Sequence, residues 1–165
     1  MAILEGITES AIERSALKWN EMERKMVQFF ANFHYNDVPT LQKELSTAIK
    51  STHTDSGDYE VSPKSAKYYI YIYEALLWVY NALLNKDEKD FNEQLEIALD
   101  RYKEFYDRKL YNRYEEGWVN WLLLAPMSIA YDMGMSIDIQ SDYVPEWLYK
   151  AEFDKSMIPS IEPWS

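Results

Sequence analysis

The sequence contains no cysteine, and this absence removes several kinds of chemistry at once. Without thiols the chain can form no disulfide, no cysteine nucleophile and no cysteine-ligated metal site. Its two histidines, His34 and His53, are too few for a zinc site unless acids supply the other ligands. Neither has a carboxylate at the Glu-x-x-His spacing of di-iron helical bundles. We therefore expect no bound metal and no cofactor.

Glycine is also scarce, with four residues in 165. Phosphate-binding loops need clustered glycines, and no serine lies in a strand–turn–helix pattern that would make it a nucleophile. Asp132, Asp138 and Asp142 remain as a conceivable acid/base set, but their spacing does not place two carboxylates on one helix face. The sequence therefore predicts no enzymatic activity, and a helical enzyme that uses carboxylates is the least favoured alternative.

Basic residues and long apolar runs are limited as well. The chain has 17 Lys and Arg against 28 Asp and Glu, a net charge of −11. Nucleic acids and anionic membranes both require a basic footprint, so we expect the protein to bind neither. The most apolar window, 118–131, is shorter than the roughly 18 residues that a membrane span needs. No secretory signal pattern is visible at the N-terminus, and these features together predict a cytoplasmic protein.

The apolar residues that are present recur at helical spacing along most of the chain. We predict a polar loop at 53–60, an irregular tail at 151–165, and helices over about 9–34, from Pro39, from Ser62-Pro63 to 84, from Asp87 to 112, from Gly117 to Met133, and from Pro145. The fold class is all-α, a single domain over 1–165. Helical hairpins with short loops fit either an antiparallel bundle or a tetratricopeptide-like stack, and both remain open.

Two segments carry more specific expectations. The helix after Pro63 is apolar on nearly every face, which is typical of a central helix enclosed by others. Trp19, Trp78 and Trp121 fall on buried stripes and are predicted to lie in the core. Residues 135–140 follow Gly134, a natural left-handed helix terminator, and alternate apolar with polar side chains. This pattern predicts an extended segment with one apolar face.

Acidic residues concentrate in one stretch of the chain. Residues 114–149 contain six acids and neither lysine nor arginine. Solubility alone is one explanation of such an imbalance. A surface that is complementary to a basic partner is the other, because complementary charge steers association. The polar loop acids Asp55, Asp58 and Glu60 would extend this surface if the fold brings them close.

The same stretch carries a recognisable order of motifs. An apolar helix ends in Ala130-Tyr131-Asp132-Met133-Gly134, a short extended stretch follows, and Ser141-Asp142-Tyr143-Val144-Pro145 leads into a closing helix. This order resembles the immunity protein 49 family of bacterial polymorphic toxin systems. The resemblance covers roughly 87–150, whereas 1–60 carry no matching motif, and Pro126 inside the apolar helix departs from the pattern.

The resemblance implies an all-α protein that binds a cognate toxin in the cytoplasm of the producing cell and blocks it. Many such toxins are nucleases, whose phosphate-binding surface is basic, so the acidic charge and the family point the same way. The candidate interface residues are Asp132, Asp138, Asp142, Tyr143 and Glu146, with Asp142 also placed to cap the closing helix. The alternative is a helical-repeat adaptor or regulatory protein that binds a peptide or protein partner.

Overall fold

The fold is all-α in a computed structural model that describes residues 21–33, 37–52, 63–106 and 117–152. Of these described residues 78% are helical and none lies in a strand, which confirms the predicted fold class. The helices are α1 (Glu21–Asn32), α2 (Val38–Thr52), α3 (Pro63–Tyr68), a π-helical segment (Tyr69–Glu74), α4 (Ala75–Asn85), α5 (Glu88–Tyr106), α6 (Trp121–Asp132) and α7 (Glu146–Tyr149). Within the same ranges, no helix is both long enough and apolar enough to cross a membrane.

Aspartates determine where two of the helices begin. The Oδ1 atom of Asp37 accepts a hydrogen bond from the Thr40 N–H at 2.9 Å, just before α2. Asp87 does the same for the Asp90 N–H at 3.0 Å, just before α5. Each bond satisfies one of the N–H groups that a helix start leaves without a partner. Asp87 thus opens α5 as predicted.

Helix α4 is the centre of the fold and packs against α2, α5 and α6. Its antiparallel pairing with α5 follows from the very short connection, in which Lys86 takes a left-handed conformation with φ 54°. The Asp87 N–H then bonds back to the Ala82 carbonyl at 3.1 Å and closes the end of α4. The predicted central helix and its antiparallel partner are both confirmed.

Aromatic side chains join α1 to this centre. The ring of Tyr80 on α4 makes edge-to-face contacts with Phe29, Phe30 and Phe33, at centroid distances of 5.6, 5.1 and 5.3 Å. Such pairs add about 0.5–1.5 kcal/mol each beyond the area that they bury. These contacts hold α1 on the core.

A π-helical segment interrupts the helix that the sequence predicts over 62–84. Over Tyr69–Glu74 each turn contains one more residue than an α-helix, which changes the direction of the side chains that follow. Arg101 on α5 donates from Nη1 to the Ile70 carbonyl at 3.1 Å and supplies a partner within this irregular turn. The spacing of apolar residues in the sequence did not predict this π-helical segment.

Several predicted boundaries and burials need correction. Helix α6 begins at Trp121 and not at Gly117, because 117–120 form a turn that ends in the helix cap Asn120. Trp78 and Trp121 are 37% and 62% exposed, so their predicted place in the core is wrong. Both helices are so apolar that composition does not reveal which side faces outward. Residues before 21, 53–60 and 107–112 lie outside the described residues, as does Trp19.

Candidate partner-binding surface

The start of α6 is tied to the segment that leads into α7. Asn120 is buried, and its side chain accepts the Leu123 N–H at 3.2 Å as the helix cap. Its own backbone N–H donates to the Tyr143 carbonyl at 2.7 Å. Asn120 therefore fixes both the start of α6 and the backbone at Tyr143. Sequence reasoning treated Asn120 only as an interruption of an apolar run, although an asparagine directly before such a run is a helix-cap signal.

Residues 135–140 are extended and have no neighbouring strand among the described residues. Gly134 precedes them with φ +78°, the left-handed terminator that the sequence predicted. Met135, Ile137 and Ile139 pack against the core, and the side chains between them are exposed, which confirms the predicted alternation.

Two side chains of α5 provide the hydrogen bonds that a strand would normally supply to this segment. The Asn92 amide donates to the Ser136 carbonyl at 3.0 Å and accepts the Asp138 N–H at 2.8 Å. Glu88 accepts the Ser136 N–H at 2.8 Å. We refer to Asn92 and Glu88 together as the α5 latch. The α5 latch was not predictable from sequence spacing, because the bonded residues lie 44 to 48 positions apart.

Asp138 is exposed but not isolated. Its carboxylate accepts the Ser136 hydroxyl at 2.9 Å, while its backbone is held by the α5 latch. The carboxylate is therefore presented to solvent from a fixed backbone. A partner would meet a charge that is already oriented and would lose little side-chain entropy there on binding.

The two residues of the Asp-Tyr motif have different surroundings. Asp142 is exposed, and the short helix α7 begins after Pro145 with no side-chain cap, so the predicted capping role of Asp142 is wrong. Tyr143 is half-buried, and its ring packs edge-to-face on Tyr102 of α5 with a centroid distance of 5.4 Å. Tyr143 therefore serves packing at least in part, whereas Asp142 is free to face a partner.

The C-terminal end of α6 and the short helix α7, which begins at Glu146, form the last part of the surface. Asp132 and Glu146 are exposed, and Lys150 binds Glu146 one helical turn away. That hydrogen bond is the main cause of a raised pKa for Lys150. Trp147, which follows Glu146 in the chain, is 51% exposed, while Tyr149 is buried. The four exposed acids Asp132, Asp138, Asp142 and Glu146 are called the C-terminal acidic surface below.

An open groove of about 590 Å³ lies between the outer face of α5 and residues 138–141. Glu88, Asn92 and Asp138 of the latch region form one part of its lining. Leu99 and Ile139 contribute apolar surface, and Lys89 and Lys103 are paired with the acids Glu93 and Asp100 at 3.6 and 3.3 Å. We call this the α5 groove.

Some of the predicted residues cannot be placed on this surface. Asp55, Asp58 and Glu60 lie outside the described residues, as do both histidines. Within the ranges that are described, no group of three or more histidine or acidic side chains is arranged to hold a metal ion.

Comparisons with known proteins give one positive result. The model of a family described as immunity protein 49 matches residues 1–148 of the 165-residue chain. The match is wider than the resemblance over 87–150 and includes the N-terminal part, in which no motif was recognisable. The comparisons with curated proteins and with solved structures found no match. Because the family model covers most of the sequence, the chain belongs to the immunity protein 49 family.

Proposed function

We propose that this immunity protein neutralises a cognate toxin by binding it through the C-terminal acidic surface. One observation carries the proposal: the family match, which ends at residue 148, takes in all but the last residue of the stretch 114–149. Every charged residue of that stretch is acidic, and its described acids are all exposed. A buried or internally paired set would have indicated a structural role. Among these acids only Glu146 has a lysine partner in the described residues.

A basic partner surface is the complement of such a stretch. Uncompensated charges of one sign disfavour the compact state through mutual repulsion, and a partner of opposite sign relieves that repulsion on binding. A nuclease toxin fits because it must hold phosphates with lysine and arginine. Covering those residues would exclude the nucleic acid directly, and no catalysis by the immunity protein is needed.

Trp147 supplies an apolar contact that the acidic residues cannot provide. Acidic rims mainly accelerate association, whereas aromatic side chains at the centre of an interface supply much of the binding free energy. Trp147 is half-exposed and adjacent in sequence to Glu146. Interfaces are enriched in tryptophan and have polar rims, which fits Trp147 as an anchor with the acids around it.

The test is co-expression with the toxin encoded by the neighbouring gene, followed by affinity measurements on purified proteins. Asp138→Asn, Asp142→Asn and Glu146→Gln together neutralise three acids without changing side-chain shape. We expect weaker binding by about 1–3 kcal/mol, and by several kcal/mol when the same positions become lysine. Gln28→Lys, Ser46→Lys and Thr47→Lys, on exposed positions of α1 and α2, change the net charge equally and form the control.

Two outcomes would contradict different parts of the proposal. If the unmodified protein gives no protection against the neighbouring toxin, the immunity role toward that toxin is wrong. If it protects fully and the neutralised and control variants bind alike, the toxin contacts another surface.

A further inference from the structure

The backbone of the extended segment has an unused hydrogen-bonding edge where the α5 groove begins. Peptide groups of alternate residues in an extended chain point to the same side. Those of Ser136 and Asp138 point to α5, because the α5 latch binds them. Gln140 continues this side, and no hydrogen bond within the described residues uses its N–H or its carbonyl. The α5 latch therefore binds the backbone at Ser136 and Asp138 but leaves that of Gln140 without a partner among the described residues.

The groove runs beside this unused edge, with its other wall formed by α5. Gln140 and Ser141 line it on one side, and Glu96 and Asp100 line it on the other. The α5 wall extends from Glu88 to Lys103, about 22 Å at roughly 1.5 Å per residue. An extended peptide rises roughly 3.3–3.4 Å per residue, so about six or seven residues would fill this length.

The charge of the groove lining indicates which kind of peptide the α5 groove would bind. The groove lining contains five carboxylates and two lysines, which leaves three negative charges uncompensated. Both lysines are in exposed ion pairs along α5, the kind that contributes little and breaks at low cost. Ile139, which is half-buried, offers apolar contact for the aliphatic part of a long basic side chain.

We propose that the α5 groove binds an extended segment of the toxin that is rich in lysine and arginine, as a strand added to residues 138–141. The Gln140 N–H and carbonyl bond the peptide backbone, and Glu96 and Asp100 bind its basic side chains. Strand addition to a free edge is a general mode of peptide recognition, in which the backbone gives affinity and the flanking side chains give specificity. This inference rests on the proposed function for the identity of the partner, but not for the properties of the groove.

The first experiment needs no toxin. The full-length, isotope-labelled protein is titrated with the heptapeptide KTKTKTK and, separately, with ETETETE, and amide chemical shifts are followed by NMR. We expect the basic peptide to shift the amides of 138–141 and of the facing turns of α5, and the acidic peptide to shift neither. Shifts confined to other regions, or no shifts at millimolar basic peptide, would overturn the proposal.

Variants separate the charge from the backbone edge. Glu96→Gln with Asp100→Asn should raise the Kd for KTKTKTK about tenfold, whereas Gln28→Lys with Ser46→Lys, an equal change of net charge elsewhere, should leave it within about twofold. Gln140→Pro removes the edge N–H and should weaken binding similarly, while Gln140→Ala keeps the N–H and should not. Equal effects of these two double variants would mean that the peptide responds only to the net charge of the protein. That result would contradict the α5 groove as a specific binding site.

Protection assays distinguish this inference from the proposed function. Loss of protection with Glu96→Gln and Asp100→Asn, in a protein that stays folded, is the expected result. Full protection by that variant would overturn the α5 groove as the toxin site while leaving the immunity role intact. Absence of protection by the unmodified protein, with peptide binding as expected, would instead count against the proposed function alone.

Discussion

Asn92 illustrates how one side chain positions the extended segment. It holds Ser136 and Asp138 with bonds of 3.0 and 2.8 Å, so Asn92→Ala should release residues 136–138 from α5. We expect a loss of about 1–2 kcal/mol in the free energy of unfolding, because the freed backbone groups can turn to water. Urea denaturation measures this loss, and hydrogen exchange should show reduced protection of the Asp138 amide.

Gln94→Ala is the matched control for that substitution. Gln94 lies on the same helix, and among the described residues its side chain bonds only Asp90, one turn away, at 3.1 Å. Its loss should change stability by less than about 0.5 kcal/mol, which is the usual contribution of a local hydrogen bond between residues four apart on one helix. Equal effects of the two alanine variants would mean that the α5 latch is not important for stability.

Tyr80 gives the molecule a specific sensitivity to alkaline pH. Burial raises the pKa of its phenol to about 12 from 10.0. Because the folded-state pKa is the higher one, the corresponding stability is fully present below pH 10 and is lost as the pH rises toward 12. At about 1.4 kcal/mol per pKa unit, the loss over this window is of the order of 2–3 kcal/mol.

Tyr80→Phe tests this sensitivity because it keeps the ring contacts with the phenylalanines of α1 and removes only the titrating group. Its free energy of unfolding should fall less steeply between pH 10 and 11.5 than that of the unmodified protein. Two other tyrosines keep part of the slope, since desolvation also raises the pKa of half-buried Tyr73 and of buried Tyr149. Tyr131→Phe, at an exposed ring, is the control, and an identical slope for all three proteins would contradict the assignment.

At the scale of elements, α6 shows why some burials were predictable and others were not. Its sequence is apolar all round, so no stripe identifies the inner face. The orientation comes from long-range ties instead, namely the Asn120 cap and its bond to Tyr143. Trp121 therefore faces outward and Leu123 inward, although a tryptophan has the larger apolar surface to bury.

Two substitutions on α6 should differ strongly for this reason. Leu123 is almost fully buried, and Leu123→Ala should cost about 2–5 kcal/mol through the cavity that it leaves. Trp121→Gln should change the free energy of unfolding by less than about 1 kcal/mol, because the side chain is mostly exposed. Thermal and urea unfolding measure both, and comparable losses would mean that Trp121 is covered.

Elements with a strong local signal were the ones that the sequence predicted well. Asp87 and Gly134 mark helix ends through their own chemistry, and the alternation over 135–140 is visible residue by residue. The π-helical segment Tyr69–Glu74 was missed because its extra residue depends on contacts with α5, such as the bond from Arg101. Local spacing does not contain that information.

The candidate surface was predicted only in part from the sequence. The exposure of Asp132, Asp138, Asp142 and Glu146 agrees with an uncompensated acidic stretch, while their role in binding stays a prediction. The α5 groove was not foreseen, since the outer charges of α5 were interpreted as an ordinary solvated face. Only the fold places Glu96 and Asp100 opposite Gln140.

At the scale of the whole molecule, the net charge of −11 should raise the rate at which a basic partner associates. Rim charges attract the partner over distances that salt limits to a Debye length of about 8 Å at physiological ionic strength. The association rate with the toxin should therefore fall as salt is raised from about 50 to 500 mM. The dissociation rate should change much less, because it depends on the short-range contacts that are already formed.

Surface plasmon resonance at several salt concentrations gives both rates. In the variant with Asp138→Asn, Asp142→Asn and Glu146→Gln, the slope of association rate against salt should become shallower, because fewer charges remain to be screened. The lysine control on α1 and α2 removes no acid from the surface and should keep a slope closer to that of the unmodified protein. A salt effect that falls mainly on dissociation would mean that these acids act as short-range contacts in the bound complex, and it would contradict their role in steering association.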